Sequence, residues 1–188
     1  FNRRFSPHII KAKSLIDKIH LPKSIVININ AGKLDPDHWL HDPEVGGGRL
    51  IGEACHFIDL LRHLVGCKII SWNKTSFDSD KKDTFSISLK FKDGSIGIIN
   101  YFSNGNISLP KERIEIFVDG KTLLINNFRS IRGYGWNKFV SSSYFKQDKG
   151  QKNIINSFVN SIVNNNQPII PYDQLFEISE VSILLDKY

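Results

Sequence analysis

Residues 46–59 read GGGRLIGEACHFID, a glycine turn that leads into a helix. Glu53, His56 and Asp59 follow at intervals of three residues, and a helix places such residues on neighbouring turns of one flank. The other residues of the segment 50–65 are mostly apolar, which indicates that this helix faces a core. Burying three ionisable side chains is costly unless they have partners or a purpose. This flank is therefore the first candidate for a functional site.

The segments around this helix predict a fold that mixes helices and strands. Apolar residues at helical spacing predict helices over residues 6–20, 50–64, 149–165 and 172–187, the second of them ending at Gly66. β-branched and aromatic residues predict strands over 23–31, 68–77, 84–91, 95–102, 113–118 and 121–125, and one short strand within 128–145. Hairpin turns at residues 92–94 and 119–120 indicate antiparallel pairing. The predicted fold class is α+β, an open, mainly antiparallel β-sheet with helices packed on one face.

Length and composition are those of a single globular domain. The chain has 188 residues, of which 40% are hydrophobic and 23% charged, so it can bury a substantial core. The net charge of +6 is scattered, which fits a solvated surface or an anionic ligand and gives little support to a nucleic-acid partner. No apolar run approaches the ~20 residues that cross a bilayer, so no membrane partner is expected. Cys55 and Cys67 make no disulfide framework, which favours the cytoplasm.

The charged flank allows three interpretations, which the residues alone leave open. His56 titrates near neutral pH and is a natural proton donor or acceptor, with Glu53 one turn away to orient it. A metal site could combine these two residues with His38, His41, Cys55 and His63, although no C-x-x-C or H-E-x-x-H spacing supports it. The third interpretation is a structural helix whose polar side chains are satisfied within the fold. A dinucleotide fingerprint and a P-loop are both missing from the sequence.

Several stretches of the chain carry a resemblance to a known family. They are FNRRFSP at residues 1–7, PDHW at 36–39, GGGRLIGEACHFIDLLRHLVG at 46–66, FKDGSIGIINYFSNG at 91–105 and PKERIEIFVDG at 110–120. With the helix that follows residues 148–150, they resemble the C-terminal domain of the glucose–fructose oxidoreductase/inositol dehydrogenase (Gfo/Idh/MocA) family. More narrowly, the chain is similar to the subgroup fused to zinc-type alcohol dehydrogenases in surface-polysaccharide gene clusters.

The resemblance implies that residues 1–188 are the C-terminal substrate and oligomerisation domain of a two-domain oxidoreductase. In that family a Rossmann domain that binds NAD or NADP precedes this domain, and the substrate lies between the two. The expected reaction oxidises or forms a secondary hydroxyl of a sugar or nucleotide-sugar, with His56 in the place of the family's proton-transfer histidine. Gly52 stands where the family often has a carboxylate, and the neighbouring Glu53 is the candidate for that catalytic role.

The resemblance also implies further site residues and partners. Asn2 and Arg3 match positions that approach the cofactor, Asp59 is expected to be structural, and no metal is expected. The expected substrate-binding residues are Arg3, Asn30, His38, Trp39 and Tyr101. The chain alone is expected to be inactive without the Rossmann half, and sheets of this kind often pair, which predicts a homo-oligomer through the sheet. The alternative is a non-catalytic sugar-binding or scaffold domain, which Gly52 favours.

Overall fold

The computed structural model describes residues 1–35, 37–42, 44–78 and 83–187, and over these it contains one eight-stranded sheet and four α-helices. The strands are β1 (Ser24–Asn30), β2 (Ile69–Ser76), β3 (Phe85–Phe91), β4 (Ile96–Phe102), β5 (Glu112–Val118), β6 (Lys121–Asn126), β7 (Ser130–Tyr134) and β8 (Ser142–Ser143). The helices are α1 (Pro7–Ile16), α2 (Cys55–Val65), α3 (Gln151–Val163) and α4 (Tyr172–Lys187). Pro36, part of the quoted loop motif, lies outside the described residues.

The sheet is open and mainly antiparallel, as the sequence predicts. Its strand order is β2-β3-β4-β1-β5-β6-β7-β8. β1 pairs in parallel with β4 and antiparallel with β5, and the remaining neighbours pair antiparallel. The predicted α+β class is confirmed.

Alternation along the strands separates a buried inner face from an accessible outer face. In β1 the side chains of Ile25, Ile27 and Ile29 are buried, and the residues between them are only half-buried. Successive side chains of a strand point to opposite faces, so this pattern covers one face only. Helix α2 lies on that inner face close to Gly97, where a Cβ atom would stand 2.6 Å from Leu61 Cδ1. The glycine lets the helix approach the sheet.

Several element boundaries differ from the prediction. Helix α1 ends at Ile16 rather than near residue 20. The amides of Lys18 and Ile19 donate to carbonyls three residues earlier instead of four, and Pro22 follows. The segment 128–145 contains two strands, β7 and β8, rather than one. The helix around His56 begins with a π-helical turn, Leu50–Ala54, in which the Cys55 amide donates to the Leu50 carbonyl. Gly66 closes α2 in the left-handed conformation, as predicted.

A buried ion pair joins the amino terminus to the helices. Arg4, in the 3₁₀ turn Arg3–Phe5, donates through Nε and Nη2 to the two carboxylate oxygens of Asp59 at 3.1 and 2.5 Å. Its Nη1 donates to Gln174 Oε1 at 3.1 Å, which adds α4 to the network. Burial raises the pKa of Asp59 and the bonds from Arg4 oppose that shift. Asp59 therefore has the structural position that the sequence suggests.

We expect Asp59→Asn to lower the free energy of unfolding by about 3–5 kcal/mol, because it leaves the charge of Arg4 buried without its counter-ion. The exchange preserves side-chain shape, so no cavity contributes to the loss. Urea unfolding of the purified chain measures it.

Glu115→Ala is the control, since it breaks the exposed pair with Arg113 at 2.7 Å and should cost about 1 kcal/mol or less. Equal losses for the two variants would show that the buried pair has no special structural weight.

Candidate active site

The candidate site lies where three strands meet at one end of the sheet. β1 and β4 are parallel and end together, while the antiparallel β5 begins beside them. Tyr101 of β4 and Glu112 of β5 both pair with Ile29, so all three share one row of the inner face. The π-helical turn and the first turn of α2 bring Glu53 and His56 to this end of the sheet, since Glu53 contacts Tyr101. Two carboxylates therefore flank the histidine.

His56 is half-buried and electrically close to four charged groups. The ring of Phe1 meets its edge with centroids 5.4 Å apart, and Nδ1 is buried with no hydrogen-bond partner among the described residues. In the chain of residues 1–188, burial of the ring, followed by the positive charges of Arg3 and the free Phe1 amino group, lowers the pKa of His56 to about 4, and Glu53 and Glu112 partly oppose this. The imidazole is consequently neutral at pH 7, the state in which it can accept a proton.

Glu53 is held in place by two hydrogen-bond donors and a nearby lysine. Arg49 Nη1 donates to its Oε2 at 3.0 Å, and the Tyr101 hydroxyl donates to the same oxygen. Lys111 Nζ lies 3.7 Å from Oε1. About a third of the Glu53 side chain is exposed, so the carboxylate remains accessible at the site while its position is fixed.

Arg49 is nearly fully buried and organises this side of the site. Its Nη2 donates to the Gly32 carbonyl at 2.7 Å and its Nη1 to the Tyr101 hydroxyl at 3.1 Å. Asp83 Oδ2 lies 3.9 Å from Nε and 3.8 Å from His41 Nε2. One guanidinium thus joins the end of β1, the end of β4 and the helix start. Arg49 is not among the residues predicted from the sequence, although it stands among glycine and apolar residues, where an arginine needs partners if it is buried.

Glu112 is the second carboxylate and is fully buried. Arg3 Nη2 donates to its Oε1 at 3.0 Å, and Lys149 Nζ lies 2.8 Å from Oε2. The Arg3 guanidinium also stacks over the ring of Phe57, 4.4 Å from its centroid. Glu112 is not predicted from the sequence, because a glutamate at the first residue of β5 has the same sequence pattern whether it is buried or exposed to solvent.

Comparison of the sequence with known families finds a match to one of them. The family model described as the GFO/IDH/MocA C-terminal domain matches residues 9–123, more than half of the chain. The chain belongs to the Gfo/Idh/MocA family. The narrower resemblance to the subgroup fused to alcohol dehydrogenases stays a prediction.

Individual relatives share the fold of this Gfo/Idh/MocA domain at low identity. The uncharacterized oxidoreductase YrbE of Bacillus subtilis is 23% identical over 125 residues, 62% of this chain and 36% of the relative. The crystal structure of aldose-aldose oxidoreductase from Caulobacter crescentus, complexed with glycerol, matches 100% of this chain and 59% of its own, with 18% identity and a TM-score of 0.80. The structure of levoglucosan dehydrogenase in complex with NADH and levoglucosan matches 99% of this chain and 62% of the dehydrogenase chain, with 16% identity and a TM-score of 0.80. The chain spans less than two thirds of each of these relatives.

Two residues predicted to bind substrate, Tyr101 and Asn30, do not lie on an accessible surface next to His56. Tyr101 is fully buried, stacks on Phe85 with centroids 5.1 Å apart, and reaches the site through Glu53. Asn30 follows the buried Ile29 and so lies on the outer face of the sheet. Its Nδ2 donates to the carbonyls of residues 106 and 109, and it lines an outer cavity of about 620 Å³. Because side chains alternate between the two faces along β1, Asn30 lies on the face opposite to Ile29.

The other predicted residues differ in their surroundings. Asn2 Nδ2 donates to the Lys149 carbonyl at 2.8 Å, which fastens the amino terminus to the start of α3. His38 Nδ1 accepts from the Leu40 amide and caps the 3₁₀ turn Trp39–His41, while Trp39 is exposed. Arg3 alone among these residues is an immediate charged neighbour of His56.

The residues considered for a metal site take other roles. The Cys55 thiol donates to the Ile51 carbonyl at 2.9 Å, and burial raises its pKa. Burial lowers the pKa of His63 to about 3. Within the described ranges no three His, Cys, Asp or Glu side chains come together as a group that could hold a metal ion. The same part of the chain includes no helix with the length and apolarity needed to cross a membrane.

We expect His56 to titrate with a pKa of about 4, well below the ordinary histidine value of about 6.5. Arg3→Gln should raise that pKa, because it removes a neighbouring positive charge and leaves the ring buried. Nitrogen NMR of the imidazole ring during an acid titration measures both values.

Arg113→Gln is the matched control, since Arg113 is exposed and follows the inward-facing Glu112 on the strand. A wild-type pKa near 6.5, or an equal shift in the control, would contradict this account of the site.

Proposed function

We propose that this chain is the substrate-binding half of an NAD(P)-dependent oxidoreductase that acts on a secondary hydroxyl of a sugar or nucleotide-sugar. The observation that carries the proposal is a half-buried, neutral His56 beside two fixed carboxylates, Glu53 and Glu112. Family membership supports the reaction class, and two solved structures of this fold are named for sugar oxidoreductases, one of them in complex with NADH.

His56 is the proposed proton-transfer residue. Oxidation of a secondary alcohol removes a proton from the oxygen as hydride leaves the carbon, so a base must lie within about 2.6–3.2 Å of that oxygen. A neutral imidazole can accept this proton, and Nε2 is the nitrogen that would do so because Nδ1 is buried. Glu53 and Glu112 lower the energy of the imidazolium that forms, since both carboxylates favour positive charge on the ring.

The residues around His56 fit a polar ligand and one end of a nicotinamide coenzyme. Arg3 places a positive charge beside the histidine, and its Nε is buried with no hydrogen-bond partner in the described part of the chain. Asn2 and Arg3 are the residues that would face the coenzyme, which when bound supplies the hydride acceptor. The sequence has no glycine-rich nucleotide loop, so we assign the coenzyme's phosphates to a preceding Rossmann domain.

The partners follow from the same proposal. We infer a homo-oligomer that forms through the outer face of the sheet, where Ile96, Phe102 and Phe117 are exposed. Cys55 and Cys67 are free thiols, which supports a cytoplasmic location.

A non-catalytic sugar-binding domain is the second candidate, and Gly52 is the observation in its favour. A Cβ atom at Gly52 would stand 2.3 Å from Leu40 Cδ1, so a larger residue at this position would require the Leu40 side chain to move. Glu53 compensates in the proposed enzyme, because its carboxylate stays partly exposed near His56. Sugar binding without turnover in the full-length protein would identify the second candidate.

In the full-length enzyme, His56→Ala should lower kcat at least ~100-fold with little loss of coenzyme binding, because positioned proton transfer contributes about that much. Steady-state kinetics and NADH titration measure the two effects. His20→Ala, at an exposed residue, is the control. An unchanged kcat would remove His56 from the chemistry.

We expect the chain of residues 1–188 to show no turnover with NAD or NADP and candidate sugars. The reason is that the proposed nucleotide site lies in the preceding domain. Absorbance at the reduced-nicotinamide band measures it, and detectable hydride transfer by this chain would refute the two-domain assignment.

A further inference from the structure

The outer cavity of about 620 Å³ lies over the end of the sheet at which β1 and β4 terminate. Its floor is a row of polar residues, one from each of four neighbouring strands. Asn28 of β1 pairs with Arg113 of β5. Asn126 of β6 pairs with Arg113 on one side and with Ser130 of β7 on the other. Residues that pair across strands point to the same face, so these four side chains line the cavity together.

The connection between β4 and β5 forms one wall of the outer cavity. Asn30 Nδ2 donates to the carbonyls of Asn106 at 2.7 Å and Leu109 at 3.1 Å, which holds the connection against the end of β1. Gly105 permits this approach, because a Cβ atom there would clash with the side chain of Asn30. Leu109 and Pro110 then face the floor. The wall is fixed by contacts within the fold, so the cavity is formed before any ligand arrives.

A row of hydrogen-bonded side chains orients Asn28 in the floor. Ser86 Oγ donates to Asn100 Oδ1 at 2.9 Å, and Asn100 Nδ2 donates to Asn28 Oδ1 at 2.8 Å. Because its oxygen faces β4, the amide nitrogen of Asn28 is turned to the β5 side. In the described part of the chain nothing accepts from that nitrogen, and the side chains of Asn126 and Ser130 have no hydrogen-bond partner either. Their donors and acceptors are therefore available to a ligand.

The charge of the outer cavity is positive. Arg113 and Arg132 line it, and its described lining contains no Asp or Glu. Arg113 Nη2 donates to Glu115 Oε1 at 2.7 Å, which occupies one part of that guanidinium. Arg132 is exposed, and no described residue pairs with it. A guanidinium with free N–H groups binds a carboxylate or a phosphate through two parallel hydrogen bonds, so the cavity favours an anionic group.

Apolar surface completes the lining. Phe102, Leu109, Pro110 and Leu124 lie beside the polar floor. Small-molecule pockets of ~300–1,000 Å³ typically combine such apolar surface with a few placed polar groups. Neutral amides and a hydroxyl suit the hydroxyl groups of a sugar, apolar side chains suit its C–H faces, and the arginines suit an acidic substituent. The three kinds of surface together describe one class of ligand.

We propose that the outer cavity binds an acidic sugar, a monosaccharide that carries a carboxylate or a phosphate group. This goes beyond the proposed function, because none of the residues placed around His56 lines the cavity. It is also compatible with the proposed oligomer. Phe102 lines the cavity, whereas Ile96 and Phe117 both pair with Ser24 at the other end of β1. An interface centred on those two residues leaves the cavity open.

NMR titration of the nitrogen-labelled chain with glucuronate, glucose 6-phosphate, glucose and inorganic phosphate tests the proposal. We expect the side-chain amide signals of Asn28 and Asn126 to shift with an acidic sugar. The Kd for glucose and for inorganic phosphate should be at least tenfold higher, because each lacks one of the two recognised features. The tighter of the two acidic sugars identifies the acidic group as carboxylate or phosphate.

Arg132→Gln should raise the Kd of the acidic sugar at least tenfold, because it removes the unpaired cation. The urea midpoint should stay unchanged, since this side chain has no partner to lose. Lys90→Gln is the matched control and should leave the Kd unchanged. It removes one exposed positive charge from the same face, where Lys90 pairs with Ile96 away from the cavity. Asn126→Asp places a carboxylate beside Arg113 and should weaken binding of the acidic sugar but not of glucose.

The opposite results contradict the proposal. If none of the four compounds shifts the signals of Asn28 and Asn126, the cavity is not a sugar site. Equal affinity for glucose would show that the arginines select nothing, and equal affinity for inorganic phosphate would show an anion site without sugar recognition. Equal losses in Arg132→Gln and Lys90→Gln would reduce the effect to net charge. Signals of the cavity that shift on dilution of the protein alone would make a second copy of the chain the occupant.

Discussion

Two consecutive arginines fasten the amino-terminal turn to both layers of this domain, and the geometry of the site depends on them. Arg3 reaches the buried Glu112 on the sheet, and Arg4 reaches the buried Asp59 on α2. His56 lies on α2 one turn before Asp59, so the two pairs determine how the histidine sits relative to the strand ends. Removing one member of such a pair leaves an uncompensated charge in the interior, so breaking either pair strongly destabilises the folded state.

The balance of charge around His56 explains why its chemistry differs from that of an exposed histidine. Each carboxylate near the ring already has two cationic neighbours: Glu53 has Arg49 and Lys111, and Glu112 has Arg3 and Lys149. These cations offset part of the negative charge of the carboxylates, and burial of the ring is the largest influence on the pKa of His56. A site built in this way keeps the imidazole ready to accept a proton, yet supplies fixed negative charge once it has done so.

The sequence predicts the parts of this molecule that depend on local pattern. The alternation of β1, the glycine end of α2 and the shared flank of Glu53 and His56 all follow from spacing along a few turns or strands. The same alternation could have placed Asn30 on the outer face, since it follows Ile29 by one residue. The partners Arg49–Tyr101 and Arg3–Glu112 are 52 and 109 residues apart in the chain. Only the tertiary fold brings them together, so no local pattern could reveal them.

Helix α3 shows a further limit of reading pattern as packing. Its apolar spacing predicts that one side is covered, and the same spacing in α2 is indeed covered by the inner face of the sheet. The periodicity gives no information on which surface does the covering. In this domain the buried apolar core comes mainly from the sheet, α1, α2 and α4, and α3 contributes none of its residues to it. Where a helix sits relative to the core is therefore a property of the tertiary fold, which the spacing within that helix does not determine.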